Sequence, residues 1–293
     1  MNLQDYLTIE ELDGVIDRAL AEDISHGDVT SEALIPRDLS GRAAFLVKEN
    51  GVLAGIEVAL RVFRRTDPSL KTEIFVQDGV AIKKGDVVGA VRGALLSILK
   101  GERVALNFLQ RLSGIASTTS RYVAEVRDTS ARIMDTRKTT PGLRPLEKYA
   151  VRAGGGYNHR SHLGAAVLIK DNHIAALRAL SLTLPDIIVK ARQNAPPGMT
   201  IEVEVTDAAE AREAAHAGVD IVMLDNMDAA EMRLAVEAVG GKAKLEASGG
   251  ITQENVRRVA LTGVNMISVG ALTHSYKALD ISLEMETPEL KLL

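Results

Sequence analysis

The chain contains no cysteine and no tryptophan, and only four Phe and five Tyr among its 293 residues. Without cysteine there is no disulfide framework, no thiolate nucleophile and no Cys-ligated metal. With so few aromatics the core must be aliphatic, a composition suited to parallel sheets covered by helices. No apolar stretch approaches the length of a membrane span. A basic n-region followed by an apolar run is also missing from the opening MNLQDYLTIEELDGVIDRALAED, which is acidic; the expectation is a soluble, cytoplasmic protein. A formal net charge of -4 argues against bulk attraction to nucleic acid or anionic membrane. The length fits two domains, or one large α/β barrel with an addition.

Against this acidic background, cations crowd one stretch, DTRKTTPGLRPLEKYAVRAGGGYNHRSHLGAAVLIKDNH, from Asp135 to His173. Arg137-Lys138, Arg144, Arg152, His159-Arg160 and Lys170 recur there beside Pro-Gly and Gly-Gly-Gly. A solvated helix face alternates its charges, and a nucleic-acid tail is not broken by an apolar run such as Ala166-Val167-Leu168-Ile169. Cations on loops and strand ends, beside backbone that permits close approach, suit a pocket for a small polyanion.

Hydrophobic periodicity divides the chain. Residues 9–23 carry apolar positions at a helical period. Residues 43–91 read as short extended runs (AAFLVK, KTEIFVQ, DVVGAVR) separated by Asn50-Gly51, Asp78-Gly79 and Gly85-Asp86, the pattern of an antiparallel sheet. From Leu95 to Val126 the pattern predicts two long helices with a break near Gly114, and places Arg103 in a first helical turn. A cation there opposes the helix dipole and points to an anionic ligand or partner, with a solvated arginine as the plain alternative. Strand candidates then alternate with amphipathic helices: 132–135, 167–170, 200–205, 221–225, 244–247 and 266–270, with helices over 207–216, 229–239 and 253–261. This alternation predicts a parallel sheet, open or closed.

Polar groups cluster at the ends of those strands. Lys170 ends VLIK, Glu204 sits in IEVEV, Asp225 ends IVMLD, and Ser248-Gly249-Gly250 follow LEA. Glu204, Asp225 and Glu246 are evenly spaced, so one βα unit delivers each to the same rim, where barrel chemistry takes place. Structural pairing or helix capping is the alternative for Glu204 and Asp225, yet acids inside apolar strands are costly without a purpose. Glycines after two successive strands, in Ser248–Gly250 and at Gly270-Ala271, let backbone N–H groups approach a phosphate. Glu204 and Asp225 suit Mg²⁺, which takes one or two carboxylates plus substrate phosphates. No HExxH or similar spacing suggests a transition metal. Lys170 in its apolar run also suits a Schiff-base nucleophile, as in a barrel aldolase. The polar turn EDISHGDVT after the first helix reads as a helix stop and cap.

Taken in order, EDISHGDVT, GERVALNFLQRLSGIAS, DTRKTTPGLR, AGGGYNHR, LIKDNH, IEVEV, MLDN, EASGGI and SVGALTHS resemble the quinolinate phosphoribosyltransferases, also called nicotinate-nucleotide pyrophosphorylases (carboxylating), over nearly the whole chain. The resemblance implies an α/β fold: an N-terminal α/β sandwich domain over 1–112, onto which 275–293 packs back, and a C-terminal open, seven-stranded α/β barrel over 113–274. It implies transfer of phosphoribosyl from 5-phosphoribosyl-1-pyrophosphate to quinolinate with loss of CO₂ and pyrophosphate, in NAD biosynthesis, with Mg²⁺ as cofactor. By the same resemblance Arg103, Arg137, His159, Arg160 and Lys170 hold the two quinolinate carboxylates. Lys138, Glu204 and Asp225 face the phosphoribosyl group and its Mg²⁺ as the catalytic set, Thr139 joins the substrate contacts, and Ser248, Gly249, Gly250, Gly270 and Ala271 take the 5-phosphate. Arg103 reaches the neighbouring subunit's site, which makes a homodimer the smallest working unit, alone or within a hexamer. The chain departs from the family in HRSHLGAA, where His162 replaces a glycine and Ala165 an acidic residue; a positive-φ glycine there would leave His162 strained. Besides the aldolase, a non-catalytic phosphometabolite-binding relative is the alternative reading.

Overall fold

Thr8 opens the first helix, Ile9–Ile24, through a capping box: its hydroxyl accepts from the Glu11 amide at 3.2 Å, and Glu11 Oε2 accepts from the Thr8 amide at 2.7 Å. Leu12, Ile16 and Leu20 form its buried stripe, each contributing roughly 2 kcal/mol of burial free energy. The helix packs on Ile56–Thr66, where Asp13 accepts from Arg61 Nη2 at 2.8 Å. The EDISHGDVT turn is a stop and a cap, as expected. Gly27 takes φ +80°, and Asp28 accepts from the Ser31 amide at 2.9 Å to start the helix Val29–Leu34.

The computed structural model describes residues 2–286 and the backbone of Lys291 and Leu292; the rest of the 275–293 segment lies outside the described residues. The chain folds as two compact units. The first comprises Met1–Ser120, Thr139–Gly155 and Ser275–Leu293. Its sheet runs Ile281–Met285, Leu39–Val47, Val87–Ala94, Lys71–Ile74, antiparallel throughout, with Lys291–Leu292 also on Leu39–Val47. The three extended runs seen in the sequence are therefore strands of one sheet.

One expectation fails here. Leu95–Val126 is a single 32-residue helix rather than two. Gly114 does not break it, because a Cβ at that position would lie 2.3 Å from the Lys277 carbonyl oxygen and 2.8 Å from the α-carbon of Ala278. The glycine serves close packing, which a sequence pattern cannot distinguish from a helix stop. Arg103 consequently stands well inside the helix, away from the positive end of any helix dipole.

The second unit comprises Arg121–Lys138 and Gly156–His274. Its parallel sheet has six strands among the described residues, in the order Arg132–Met134, Met266–Ser268, Lys244–Ser248, Ile221–Asp225, Ile201–Val205, Val167–Ile169. In place of the expected seventh strand, Tyr157 alone bridges Met134 in parallel. Gly154, Gly155 and Gly156 just before it leave no residue with strand propensity to lengthen that bridge. Helices Ala208–His216 and Ala229–Val239 follow their strands as anticipated, while the helix expected over 253–261 is confined to Val256–Ala260. Among the described residues no helix is long and apolar enough to cross a membrane.

Candidate active site

Side chains alternate along a strand, so residues two apart share a face. In Ile201–Val205, Ile201, Val203 and Val205 are almost fully buried among aliphatic neighbours, and Glu202 and Glu204 share the opposite face. Register carries that face around the sheet: Glu204 pairs with Met223, Met223 with Glu246, and Asp225 with Ser248. Even spacing in the chain is thus misleading for Glu246. It lies level with Met223 and Glu204, one step below the Asp225–Ser248 row, and is 1 % exposed.

A cavity of about 630 Å³ opens at the carboxyl ends of the strands, with Met223, Glu246 and Ser268 in its floor. Arg137, Lys138, His159, Arg160 and Lys170 line it together with Glu204, Asp225, Ser248, Gly249 and Gly250. Of the other residues singled out in the sequence, Gly270 and Ala271 sit at the end of the sheet beside Lys138. A Cβ on Gly270 would lie 3.2 Å from Lys138 Cδ, and Ala271 opens the short helix Ala271–His274. Arg103 and Thr139 belong to the first unit. That unit has a slightly larger cavity, about 730 Å³, lined by Arg18, Asn107, Arg111 and Tyr276; it gathers none of the strand-end residues.

Asp135, fully buried, accepts from Asn158 Nδ2 at 2.6 Å and from the His159 amide at 2.8 Å. These bonds tie the His159-Arg160 segment to the end of Arg132–Met134. Arg160 Nη1 donates to the Ala166 carbonyl at 3.0 Å. Burial, and then the charge of Arg137, push the Arg160 guanidinium below its ordinary value, with Glu202 and Glu204 opposing. Two cations are held close enough to repel, and an anion between them would relieve the repulsion. Lys170 Nζ donates to Glu204 Oε1 at 2.6 Å. That contact suits an electrostatic role for Lys170 and adds nothing to the aldolase reading. Lys138 is fixed by its backbone: its amide donates to Thr136 Oγ1 at 3.0 Å, and its carbonyl accepts from Thr273 Oγ1 at 2.8 Å.

The glycine loop has a partner that the sequence reading missed. Asn226 takes φ 55° and donates its amide to the Ser248 carbonyl at 2.9 Å. Gly249 and Gly250 follow at φ +87° and +60°. A Cβ on Gly249 would fall 2.1 Å from Asn226 Oδ1. Positive φ at both glycines, with no Cβ on either, leaves this backbone open to close approach by a ligand. The signal in the sequence was Asn after the strand-final Asp in MLDN, a residue type that tolerates left-handed backbone.

Deeper still, His159 Nε2 lies 3.0 Å from Glu202 Oε2 and 3.6 Å from Glu246 Oε1, while Ser268 Oγ donates to Glu246 Oε1. Burial and the Glu202 charge push the Glu246 carboxyl up to about 8. His162 shows no strain, since the non-glycine residues with positive φ among those described are Ser181 and Asn226. Ala165 lies in the same turn, its amide donating to the His162 carbonyl at 3.3 Å.

As for a metal, Glu204 and Asp225 offer hard oxygen donors on the cavity wall. Two carboxylates are what Mg²⁺ needs when substrate phosphates and water complete its shell. The residues present fit that ion.

An open parallel barrel presenting cations, carboxylates and glycine loops at its carboxyl rim defines an α/β-barrel enzyme of phosphorylated small molecules. Residues 28–113 match the family model of the quinolinate phosphoribosyl transferase N-terminal domain, and residues 115–284 that of its C-terminal domain. A quinolinate phosphoribosyltransferase (decarboxylating) 2a of Nicotiana tabacum is 44% identical, covering 94% of this chain and 83% of its own. A probable nicotinate-nucleotide pyrophosphorylase (carboxylating) of Bacillus subtilis is 43% identical, over 94% and 93%. The crystal structure of NadC from Streptococcus pyogenes superposes with a TM-score of 0.90 at 42% identity, covering 98% of this chain and 99% of that one. The chain belongs to the quinolinate phosphoribosyl transferase family.

Proposed function

We propose that this chain transfers the phosphoribosyl group of 5-phosphoribosyl-1-pyrophosphate to quinolinate, releasing pyrophosphate and CO₂ and giving nicotinate mononucleotide, a step of NAD biosynthesis. The observation that carries the proposal, beyond family membership, is the crowding of Arg137 and Arg160 beside His159 and Lys170 in one cavity. A ligand with two adjacent carboxylates answers that arrangement. A monocarboxylate leaves part of the repulsion in place.

The roles are assigned from the family resemblance, and the lining of the cavity supports them. Arg137, His159, Arg160 and Lys170 hold and orient the pyridine dicarboxylate. Lys138 faces the phosphoribosyl group and balances charge on the departing pyrophosphate. Glu204 and Asp225 are assigned to the ribosyl C1, where positive charge grows as the leaving group departs and a carboxylate stabilises it electrostatically. Gly249 and Gly250, with Ser248, Gly270 and Ala271, receive the 5-phosphate through backbone N–H groups. Mg²⁺, when bound, neutralises pyrophosphate charge, and Glu204 and Asp225 are the residues to hold it. Ribosylation turns the pyridine into a pyridinium, whose electron demand makes loss of the C2 carboxylate feasible. No side chain need form a covalent bond, so catalysis is positioning and electrostatics. Thr139 is assigned to the substrate contacts. Arg103 is assigned to the neighbouring subunit's site, with a homodimer as the working form. The cytoplasm is the proposed compartment for this cysteine-free, mildly acidic chain.

The test is turnover of quinolinate against nicotinate, with phosphoribosyl pyrophosphate and Mg²⁺, while CO₂ and pyrophosphate are measured together. Equal release of both products from quinolinate, and little from nicotinate, is the expected result. Quinolinate binding without either product would overturn the proposal.

A further inference from the structure

Two carboxylates to which the reaction gives no role lie at and below the cavity floor, Glu246 lining it and Glu202 outside it. Glu202 and Glu246 are 2 % and 1 % exposed, and each retains one oxygen, Oε1 and Oε2 respectively, without a hydrogen-bond partner. Burying ionisable groups is costly unless they do something for the fold or the site. Both face the same ring: His159 Nε2 is 3.0 Å from Glu202 and 3.6 Å from Glu246. The other ring nitrogen, Nδ1, accepts from the Arg160 backbone amide at 2.8 Å. A nitrogen that accepts from an N–H carries no proton, so the proton of a neutral ring is on Nε2, directed at Glu202. An imidazolium would set Nδ1–H against the Arg160 N–H and is disfavoured by that contact.

We propose that Glu202 and Glu246 are positioning residues: with Ser268 they clamp the His159 ring from below in its Nε2–H tautomer, and the ring holds the Arg160 backbone through Nδ1. The inference rests on the functional reading above, because its consequence is the placement of Arg160 for quinolinate. Contacts run upward from the strands Ile201–Val205 and Lys244–Ser248 to the ring, to the Arg160 amide, and to the guanidinium at the cavity wall. Other ionisable neighbours fit this picture. Asp135 holds the His159 amide, Glu204 is engaged by Lys170, and Arg160 and Arg137 lie on the cavity side. Burial and the Glu202 charge hold the Glu246 carboxyl above its ordinary value, and the Ser268 hydroxyl bonds that same carboxyl. A metal ion is the rival occupant, since these ligand atoms lie within 4.8 Å of one another.

The experiment is long-range ¹H–¹⁵N spectroscopy of histidine-labelled protein, with His159 identified by loss of its signals in His159→Asn, alongside kinetics of Glu202→Leu and Glu202→Gln. The wild type is expected to show the Nε2–H tautomer from about pH 6 to about pH 8. In Glu202→Leu the signal should become mixed, with KM for quinolinate rising about tenfold, as expected for a lost buried hydrogen bond, and kcat changing far less. Glu202→Gln, which keeps an acceptor oxygen, should restore both. An Nδ1–H tautomer or an imidazolium at neutral pH in the wild type would overturn the proposal. A folded Glu202→Leu protein with unchanged spectrum and KM would also do so, as would one equivalent of Zn²⁺ retained by the wild type through dialysis against chelator. The spectrum needs no substrate, and only His159→Asn for its assignment, so it tests the clamp even if quinolinate is not turned over or Glu202→Leu does not fold.

Discussion

Lys170 Nζ donates to Glu204 Oε1 at 2.6 Å, joining the residue just past the end of Val167–Ile169 to the neighbouring strand Ile201–Val205. On the proposed reading, quinolinate exchanges partners with this pair. Lys170→Met should lower kcat/KM for quinolinate by about 100-fold, since charge-assisted hydrogen bonds contribute about 1.5–3 kcal/mol. Borohydride with carbonyl compounds should trap nothing at Lys170; a trapped adduct would count against an electrostatic role.

Arg103 tests the shared site. Arg103→Ala and Lys170→Ala proteins should each be inactive alone and regain partial activity on mixing, because one site of each heterodimer keeps both native groups. Lack of recovery despite demonstrated subunit exchange would confine Arg103 to its own subunit.

Gly249→Ala should raise KM for phosphoribosyl pyrophosphate and cost about 1–3 kcal/mol of stability. The added carbon meets Asn226 Oδ1 at 2.1 Å in a backbone with φ +87°. Asn226→Gly combined with Gly249→Ala should recover part of the stability by removing the obstructing amide. Thermal melts and substrate titrations check both.

Gly114→Ala should destabilise the protein by about 1–3 kcal/mol through overpacking against the Lys277 carbonyl. If Gly114 were merely a flexible break, alanine would stabilise the helix instead, so the sign of the change in Tm decides.

Stability should fall as pH rises from the ordinary carboxylate range towards about 8, the value to which burial and the Glu202 charge push the Glu246 carboxyl in the folded protein. Across that window the native state binds a proton that the unfolded chain has released, and each rise in pH favours unfolding, by up to about 1.4 kcal/mol per unit. Glu246→Gln, neutral at every pH, should flatten this slope. An unchanged slope in the variant would assign it to other groups.

The rim was legible in the sequence because each apolar strand ends on a residue whose chemistry is out of place in a core. Lys170 after VLI, Asp225 after IVML and Ser248-Gly249-Gly250 after LEA all reach the cavity. The layer below was not legible. Equal spacing placed Glu246 beside Asp225, whereas strand register puts it one step lower, and spacing along the chain contains no register. Glu202 escaped notice because a two-residue alternation reports which face a side chain takes and not how deep it lies. The continuity of Leu95–Val126 was hidden by Gly114, whose reason for being glycine is the backbone at Lys277 and Ala278, far away in sequence. His162, conspicuous as a departure from the family, sits in ordinary backbone.

The sheet of the first unit has a consequence for how the protein is made. Its strand Leu39–Val47 pairs on one side with Ile281–Met285, and that partner is translated only after every strand of the barrel. An N-terminal half emerging from the ribosome therefore waits with one sheet edge uncovered while the second unit is synthesised, and completes its sheet late. Synonymous changes that slow translation between Gly156 and His274 would lengthen that interval and should be felt first in the yield of soluble chain.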